Sequence, residues 1–207
     1  MNFSHHSQVI NYLIEKFKFQ SYLEIGVNNP RDNFDLIKCK FKIGVDPNGA
    51  ASFTGTSDEF FDTCFTENTY GNDGLLRFDI IFIDGLHHAD QVKKDFENSL
   101  HCLNEGGIIL LHDTNPADER YTHVPRDLPT GKRWNGNTYQ FLFELAGINH
   151  LDYKTLNFDS NGLTVVKQKP GNIMLALKVN DEPYKFFDKE RQYLTRLCTT
   201  EQFLEWI

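Results

Sequence analysis

Two acidic residues each follow a short, wholly apolar segment in the middle of the chain. Asp84 follows the segment 80–83 (IIFI), and Asp113 comes just after the segment 108–111 (IILL). Short apolar runs of this kind are typical of central parallel strands that are covered on both faces. Ligands of open α/β sheets bind outside the carboxyl ends of such strands. The two carboxylates are therefore predicted to lie at the ligand-binding edge of a parallel sheet.

Histidines accompany these acids. His87 stands three residues after Asp84, at the predicted start of a helix, and His88 follows it. An imidazole with a pKa near its usual value suits a general base at neutral pH. A helix N-terminus disfavours imidazolium and so keeps the base unprotonated. We therefore predict His87 as a general base with His88 as its substitute, and a capping or solvated histidine is the alternative.

The same acids could also hold a metal ion. Two carboxylates that lie close together repel each other unless a cation or a proton sits between them. Oxygen ligands select Mg²⁺ or another hard divalent cation. Asp84 and Asp113 are therefore candidate metal ligands, and a site without metal stays an open alternative. His112 is predicted to point to the opposite side of the strand from Asp113, because side chains alternate along a strand.

Strands and helices alternate through most of the chain. This order predicts a parallel sheet with helices on both faces, and a hairpin signal near the end adds an antiparallel edge. Residues 117–136 contain no regular pattern and follow the ligand edge, so they are predicted to form a lid or substrate-binding loop. The predicted strands are 22–27, 41–47, 51–54, 80–83, 108–111, 151–158 and 163–168, and the hairpin turn is 159–162.

Three smaller predictions concern individual side chains. Ser57 or Asp58 is expected to cap the helix that begins near residue 56, since serine and aspartate are common N-caps. Lys94 and Asp95 are expected at solvated helix positions. The lid loop carries aromatic and cationic side chains that could line a ligand pocket, namely Tyr121, Arg133 and Trp134.

Composition limits the class of protein. At 207 residues one domain is the default, with a core at about 8–170 and a helical extension at 171–207. A net charge of −8 disfavours nucleic acid as a partner. The four cysteines are widely spaced, which favours free thiols in a reducing compartment. Neither a leader segment nor an apolar stretch of spanning length is recognisable, so a cytoplasmic protein away from membranes is expected.

Five motifs in this order resemble the class I S-adenosylmethionine-dependent methyltransferases. The similarity covers roughly residues 8–170, and the DGLH corner is most similar to the small-molecule O-methyltransferase branch, which includes catechol-type and macrolide-sugar enzymes. The resemblance implies a doubly wound, Rossmann-like sheet of seven strands, mostly parallel, with an antiparallel C-terminal hairpin strand. The motifs are LEIGV (23–27), GVDP (44–47), TSDEFF (56–61), IIFIDGLHH (80–88) and LNEGGIILLHD (103–113).

The resemblance also implies roles for particular residues. Asp46 would accept the ribose hydroxyls of S-adenosylmethionine, and Gly26 would let the backbone approach the cofactor closely. Ser57 and Asp58 would reach the adenine, although both are equally candidate helix caps. The implied cofactor-binding residues are Glu24, Gly26, Asp46, Ser57, Asp58 and Asp84, and the implied metal ligands are Asp84, Asp113 and Asn115.

The expected function is O-methylation of a small hydroxylated acceptor, such as a sugar or natural product, with S-adenosylmethionine as methyl donor and a divalent cation as candidate helper. An NAD-type enzyme is disfavoured because LEIGV lacks the full G-x-G-x-x-G pattern. A scaffold protein that kept the cofactor site and lost turnover is the alternative, since fold alone does not establish activity. The helical tail at 182–207 is a candidate dimer contact.

Overall fold

The computed structural model describes residues 1–49, 51–66, 76–127, 132–158, 161–170 and 182–207. Several predicted features fall wholly or partly outside these ranges. They are the centre of the loop at 117–136, the first half of the hairpin turn at 159–162, and the beginning of the extension at 171–207.

Eight strands of the described residues form one sheet in the order β3-β2-β1-β4-β5-β7-β6-β8. Strand β1 pairs in parallel with β2 and β4, β2 pairs in parallel with β3, and β6 pairs antiparallel with β7. The strands are β1 (Ser21–Ile25), β2 (Phe41–Asp46), β3 (Phe53–Thr54), β4 (Phe78–Ile83), β5 (Leu103–Leu111), β6 (Leu151–Leu156), β7 (Leu163–Gln168) and β8 (Leu197–Cys198).

The predicted α/β sheet with an antiparallel C-terminal hairpin is therefore confirmed. The strand count differs from the expected seven. The additional strand β8 lies in the tail that was predicted to be helical, where it pairs in parallel with the end of β6.

Six α-helices occur within the described residues, and none is long and apolar enough to cross a membrane. Short 3₁₀ turns occur at Phe34–Leu36, Glu119–Tyr121 and Thr138–Gln140. The helices are α1 (His6–Phe17), α2 (Ser57–Thr66), α3 (Ala89–His101), α4 (Phe141–Leu145), α5 (Pro183–Thr195) and α6 (Thr200–Trp206).

The chain forms two compact units. The N-terminal unit comprises residues 5–86 and 94–110, and the C-terminal unit comprises residues 1–4, 87–93 and 111–207. The single domain expected from chain length stays a prediction.

The N-terminal unit is built on strands whose side chains are buried on both faces. Strand β4 shows this most clearly, because five of its six residues are buried. Its one partly exposed residue, Asp79, accepts hydrogen bonds from the backbone N–H groups of Gln20 and Ser21 and from the amide of Asn104. These bonds lower the pKa of Asp79 although its partial burial acts to raise it. Asp79 thus ties the amino ends of β1 and β4 together.

Helix α3 contains a buried acid. Asp95 is only 1% exposed, so the prediction of a solvated position was wrong for this residue. Lys94 beside it is exposed, as expected. The helix presents one face to the core, with Val92, Phe96 and Ser99 also buried, and Asp95 falls on that face.

The C-terminal unit packs α5 against the segment 138–145 through aromatic rings. Tyr139 contacts Phe187 with ring centroids 4.8 Å apart, and Phe143 contacts Phe186 at 5.5 Å. A chain of buried hydroxyls joins β6, β7 and the segment after β5. Its links are Thr155 to Thr164 at 2.7 Å and Thr164 to Thr114 at 2.8 Å. This chain anchors the residue that directly follows Asp113.

Candidate active site

Gly26 occupies a backbone position that other residues could not share. Its φ is +89°, and a Cβ atom there would lie 2.1 Å from the carbonyl oxygen of Asp84. Its N–H donates to the carbonyl of Val45 at 2.9 Å, and the N–H of Asp84 donates to Ile25 at 2.9 Å. Within the N-terminal unit, Gly26 therefore lets the corner after β4 approach the end of β1.

Asp46 is held rigidly at the carboxyl end of β2. It is 5% exposed. One carboxylate oxygen accepts the N–H of Asn28 and the other accepts the N–H of Asn48, both at 2.8 Å. Each carboxylate oxygen can accept more than one hydrogen bond, so this arrangement leaves capacity for a ligand.

Glu24 lies inside the core of the N-terminal unit at 1% exposure. Its Oε2 accepts hydrogen bonds from the hydroxyl of Tyr22 at 2.5 Å and from the amide of Asn33 at 2.8 Å. Burial raises the pKa of Glu24 to about 7, although the two hydrogen bonds act to lower it. The carboxyl group thus ties β1 to the segment that follows it.

Helix α2 is capped by Thr56, so the prediction of Ser57 or Asp58 as the cap was wrong. The hydroxyl of Thr56 accepts the N–H of Glu59, and the Glu59 carboxylate accepts the N–H of Thr56 in return. This reciprocal pair is a capping box. Asp58 lies in the first turn of α2 and accepts a hydrogen bond from Lys94 at 2.6 Å.

His87 and Asp113 form a pair within the C-terminal unit. His87 Nε2 lies 3.2 Å from Asp113 Oδ2, and His87 Nδ1 lies 3.0 Å from the carbonyl oxygen of Trp134. A carbonyl only accepts, so Nδ1 must carry a proton. Nε2 then faces a carboxylate oxygen, which is favourable only if a proton or a metal cation lies between the two atoms.

His112 approaches the same carboxylate. Its Nδ1 lies 3.3 Å from Asp113 Oδ2, so the prediction that it points away from Asp113 was wrong. The cause is the backbone of Asp113, whose φ of +59° interrupts the alternation of the strand. Asp113 itself is 4% exposed.

Asn135 was missed by sequence reasoning. Its Nδ2 donates to Asp113 Oδ1 at 2.7 Å, and its side chain is fully buried. The N–H groups of Asn135 and Gly136 both donate to the carbonyl of Tyr121, at 2.8 and 3.1 Å. The nearest signal in the sequence is the neighbouring Trp134, which was expected to line a pocket.

Residues 134–137, here called the strap, enclose His87. The ring of Trp134 stacks on the imidazole at 5.1 Å, and the N–H of Asn137 donates to the His87 carbonyl at 3.1 Å. Gly136 has a φ of +56°, and a Cβ atom there would lie 1.9 Å from the same carbonyl oxygen. Asn137 Oδ1 accepts the N–H of Ala89 at 2.7 Å and so caps α3. The strap thus fixes both the ring and the backbone of His87.

Three other residues of the C-terminal unit were also predicted to contribute to the site. Asn115 Oδ1 accepts a hydrogen bond from Arg191 Nη1 at 2.6 Å, and a guanidinium at that distance disfavours a metal cation on the same oxygen. His88 is half-buried and immediately precedes α3. Arg133 lies over the ring of Tyr121, with its guanidinium 5.8 Å from the ring centroid.

Comparison with known proteins agrees with this fold. Residues 23–114 match the family model of a methyltransferase domain. An O-methyltransferase from Bacillus cereus in complex with SAH has a TM-score of 0.57 at 14% identity, covering 79% of this chain and 80% of its own. The O-methyltransferase TomG from Streptomyces achromogenes, involved in tomaymycin synthesis and in complex with SAM, has a TM-score of 0.55 at 14% identity, covering 80% of each chain.

A third structure, the SAH-bound methyltransferase PaMTH1 from Podospora anserina, has a TM-score of 0.52 at 18% identity and covers 80% of this chain and 78% of its own. A comparison with curated protein sequences gives no match. The family model spans the segment from Leu23 in β1 to Thr114, which includes all five predicted motifs. Residues 23–114 are thus similar to a methyltransferase domain, as the resemblance predicted, and the similar solved structures share its fold.

Proposed function

We propose that the protein transfers a methyl group from S-adenosylmethionine to a hydroxyl group of a small molecule, such as a sugar or natural product, with the help of a divalent cation. The observation that carries this proposal is the His87–Asp113 pair, in which an imidazole nitrogen and a carboxylate oxygen lie 3.2 Å apart. The methyltransferase family model and the O-methyltransferases of similar fold support it.

Asp46 is the proposed ribose ligand. Its carboxylate is already oriented by two backbone N–H groups, so it would bind hydroxyls without further ordering. Gly26 and the corner at Asp84 would accommodate the methionine end, and Ser57 and Asp58 would lie toward the adenine. Glu24 would support the cofactor from within the core, because its carboxyl group is already engaged by Tyr22 and Asn33.

The reaction requires a proton to leave the acceptor. The acceptor oxygen forms a bond to the methyl carbon, the carbon–sulfur bond breaks with its electron pair remaining on sulfur, and the hydroxyl proton is released. The bound cofactor supplies the electrophilic methyl group, and the protein supplies orientation of the acceptor and a means of removing the proton.

The His87 geometry favours a cation over direct proton removal by the imidazole. Nε2 is directed at Asp113, so it is either already protonated or shares a cation with the carboxylate. In the proposed site, His87 and Asp113 would hold a divalent cation, and Asp84 is the further ligand that the motif implies. Such an ion, when bound, lowers the pKa of a coordinated hydroxyl. A mixed set of imidazole and carboxylates suits Mn²⁺ or Co²⁺ at least as well as Mg²⁺.

The second candidate for proton removal is a histidine acting directly as general base. His88 is the residue to test in that role if no cation binds, because His87 is committed to Asp113 and Trp134.

Titration calorimetry with S-adenosylhomocysteine tests the cofactor site. Wild-type protein should bind it, and Asp46→Asn should bind about 10- to 100-fold more weakly, since one charge-assisted hydrogen bond contributes roughly 1.5–3 kcal/mol. Asp79→Asn is the matched control, because Asp79 binds three donors of the same unit at the opposite end of β4. That variant should lose stability and keep its affinity.

Binding of S-adenosylhomocysteine at wild-type strength by Asp46→Asn would remove the ribose assignment. No binding to the wild-type protein at high micromolar ligand would remove the proposed function. Methyl-transfer assays with Mn²⁺, Mg²⁺ or EDTA distinguish cation-assisted proton removal from direct removal by a histidine. Activity that is retained in EDTA favours His88 as the general base.

A further inference from the structure

Asn135 carries a buried polar atom for which the described part of the chain offers no hydrogen-bond partner. The residue is fully buried, and the unpartnered atom is its Oδ1. Leaving such an acceptor unsatisfied costs about 1–3 kcal/mol, so native proteins rarely keep one unless a ligand, ion or water completes it. The atom is part of the same amide that contacts Asp113.

We propose that Asn135 Oδ1 is an oxygen ligand of the cation held by His87 and Asp113. This inference rests on the metal-assisted form of the proposed function. It gives a specific role to a residue of the strap that the motifs do not include.

The orientation of the amide follows from its neighbour. Asp113 Oδ1 is 2.7 Å from one end of the Asn135 amide, and a carboxylate accepts, so that end must be the NH₂ group. The opposite end of the planar amide is therefore the carbonyl oxygen. Within the described residues that oxygen has no donor, and its own amide is bonded to the carboxylate whose other oxygen lies 3.2 Å from His87 Nε2.

A metal cation suits this amide oxygen better than a hydrogen-bond donor does. Hard divalent cations accept amide oxygens as ligands together with carboxylates. A neutral amide adds an oxygen without adding further negative charge next to Asp113. The Nδ2 hydrogen bond simultaneously holds the Asp113 carboxylate in a fixed orientation, as partners of metal-binding carboxylates commonly do.

Asn115, which the resemblance implied as a ligand, lacks these properties. Its Oδ1 already accepts a hydrogen bond from the cationic Arg191 at 2.6 Å. Asn135 instead reaches Asp113 from 22 residues further along the chain. We therefore expect replacement of Asn135 to weaken metal binding and replacement of Asn115 to leave it nearly unchanged.

The test is a Mn²⁺ titration followed by electron paramagnetic resonance, in which free Mn²⁺ gives the signal. Asn135→Ala should weaken Mn²⁺ binding by about 10- to 100-fold, the range found for residues that support a metal site. Asn115→Ala should leave Mn²⁺ affinity within about threefold of wild type, because its partner is a guanidinium. Wild-type affinity in Asn135→Ala, or no Mn²⁺ binding by the wild-type protein, would overturn the proposal.

A second measurement distinguishes a ligand from a residue that only orients Asp113. Water proton relaxation counts the exchangeable water molecules on bound Mn²⁺. Asn135→Ala should add one, since water replaces the lost amide oxygen, whereas Asn135→Asp should add none and should be stabilised by Mn²⁺. An unchanged water count in Asn135→Ala at saturating Mn²⁺ would show that Asn135 is not a ligand.

Folding and the proposed function are checked in the same samples. Thermal unfolding and S-adenosylhomocysteine binding of each variant show whether the fold is retained, and Asn135→Asp keeps the test decisive if Asn135→Ala does not fold. If the wild-type protein does not bind S-adenosylhomocysteine, the proposed function is wrong. If that ligand binds normally and Asn135→Ala keeps the wild-type Mn²⁺ affinity, only this inference is wrong.

Discussion

The candidate residues of the two units are held in place in different ways. Asp46 is fixed by the N–H groups of Asn28 and Asn48, which lie 18 and 2 residues away in the chain. His87 is fixed by Trp134, which is 47 residues away and belongs to an irregular segment. Strand ends therefore position the predicted cofactor residues, whereas a distant strap positions the His87–Asp113 pair. The position of Asp46 depends on the core of a sheet. The position of His87 depends on the strap, which can be disrupted while the core stays folded.

The largest effect should come from the two glycines that allow close backbone contact. Gly26→Ala would place a Cβ atom 2.1 Å from the Asp84 carbonyl oxygen, and Gly136→Ala would place one 1.9 Å from the His87 carbonyl oxygen. We expect Gly26→Ala to destabilise the protein by more than about 4 kcal/mol, because two core strands must separate. Gly136→Ala should lower methyl transfer and Mn²⁺ binding by far more than it lowers stability.

Chemical denaturation and activity assays on both variants measure this contrast. Gly106→Ala is the control, because its φ is +74° and no atom of the described residues lies within 4 Å of the added Cβ atom. It should lose only about 1–2 kcal/mol, the cost of the left-handed backbone for a residue with a side chain. If Gly136→Ala loses as much stability as Gly26→Ala, the strap is part of the folded core. The proposed difference between the two units would then be wrong.

A pH-dependent effect is expected at Glu24. Its pKa is raised from 4.5 to about 7 in the folded protein, mainly by burial. Between these values the folded state binds a proton that the unfolded state has lost, so stability falls as pH rises through this window. The contribution is on the order of 3 kcal/mol, present below the lower value and lost above the upper one.

Glu24→Gln should remove this dependence, because the amide stays neutral in the same core position. Urea denaturation at pH 5 and pH 8 would show a larger drop in the free energy of unfolding for wild type than for the variant. Equal drops in the two proteins would show that the carboxyl group of Glu24 is ionised throughout this pH range. Its protonation would then make no contribution to the pH dependence of the N-terminal unit.

The smallest effect is expected at the exposed pair of Asp58 and Lys94. Exposed ion pairs contribute little to stability because water and salt screen them. Asp58→Asn should therefore leave the melting temperature unchanged. Any loss of S-adenosylhomocysteine affinity in this variant would support the adenine role, and unaltered affinity would assign Asp58 only to the pair with Lys94.

The parts of the fold that were predictable share a local cause. The apolar segments at 80–83 and 108–111 became parts of the buried strands β4 and β5, because runs of apolar residues are stable only where both faces are covered. The hairpin of β6 and β7 was also predicted. Strand β8 was not, because two residues carry too little pattern to distinguish a strand from the helices on either side.

The sequence by itself determined the alternating order of strands and helices, the resemblance to class I methyltransferases, and the position of Asp46 and Asp113 at the carboxyl ends of their strands. Those features depend on patterns within a few residues of each other. Only the tertiary structure decided that Asp95 is buried, that His112 turns toward Asp113, and that Asn135 rather than Asn115 contacts that carboxylate. The burial of Asp95 depends on which face of α3 packs on the core. The other two outcomes depend on a left-handed residue and on contacts across long stretches of irregular chain, for which no periodic pattern exists.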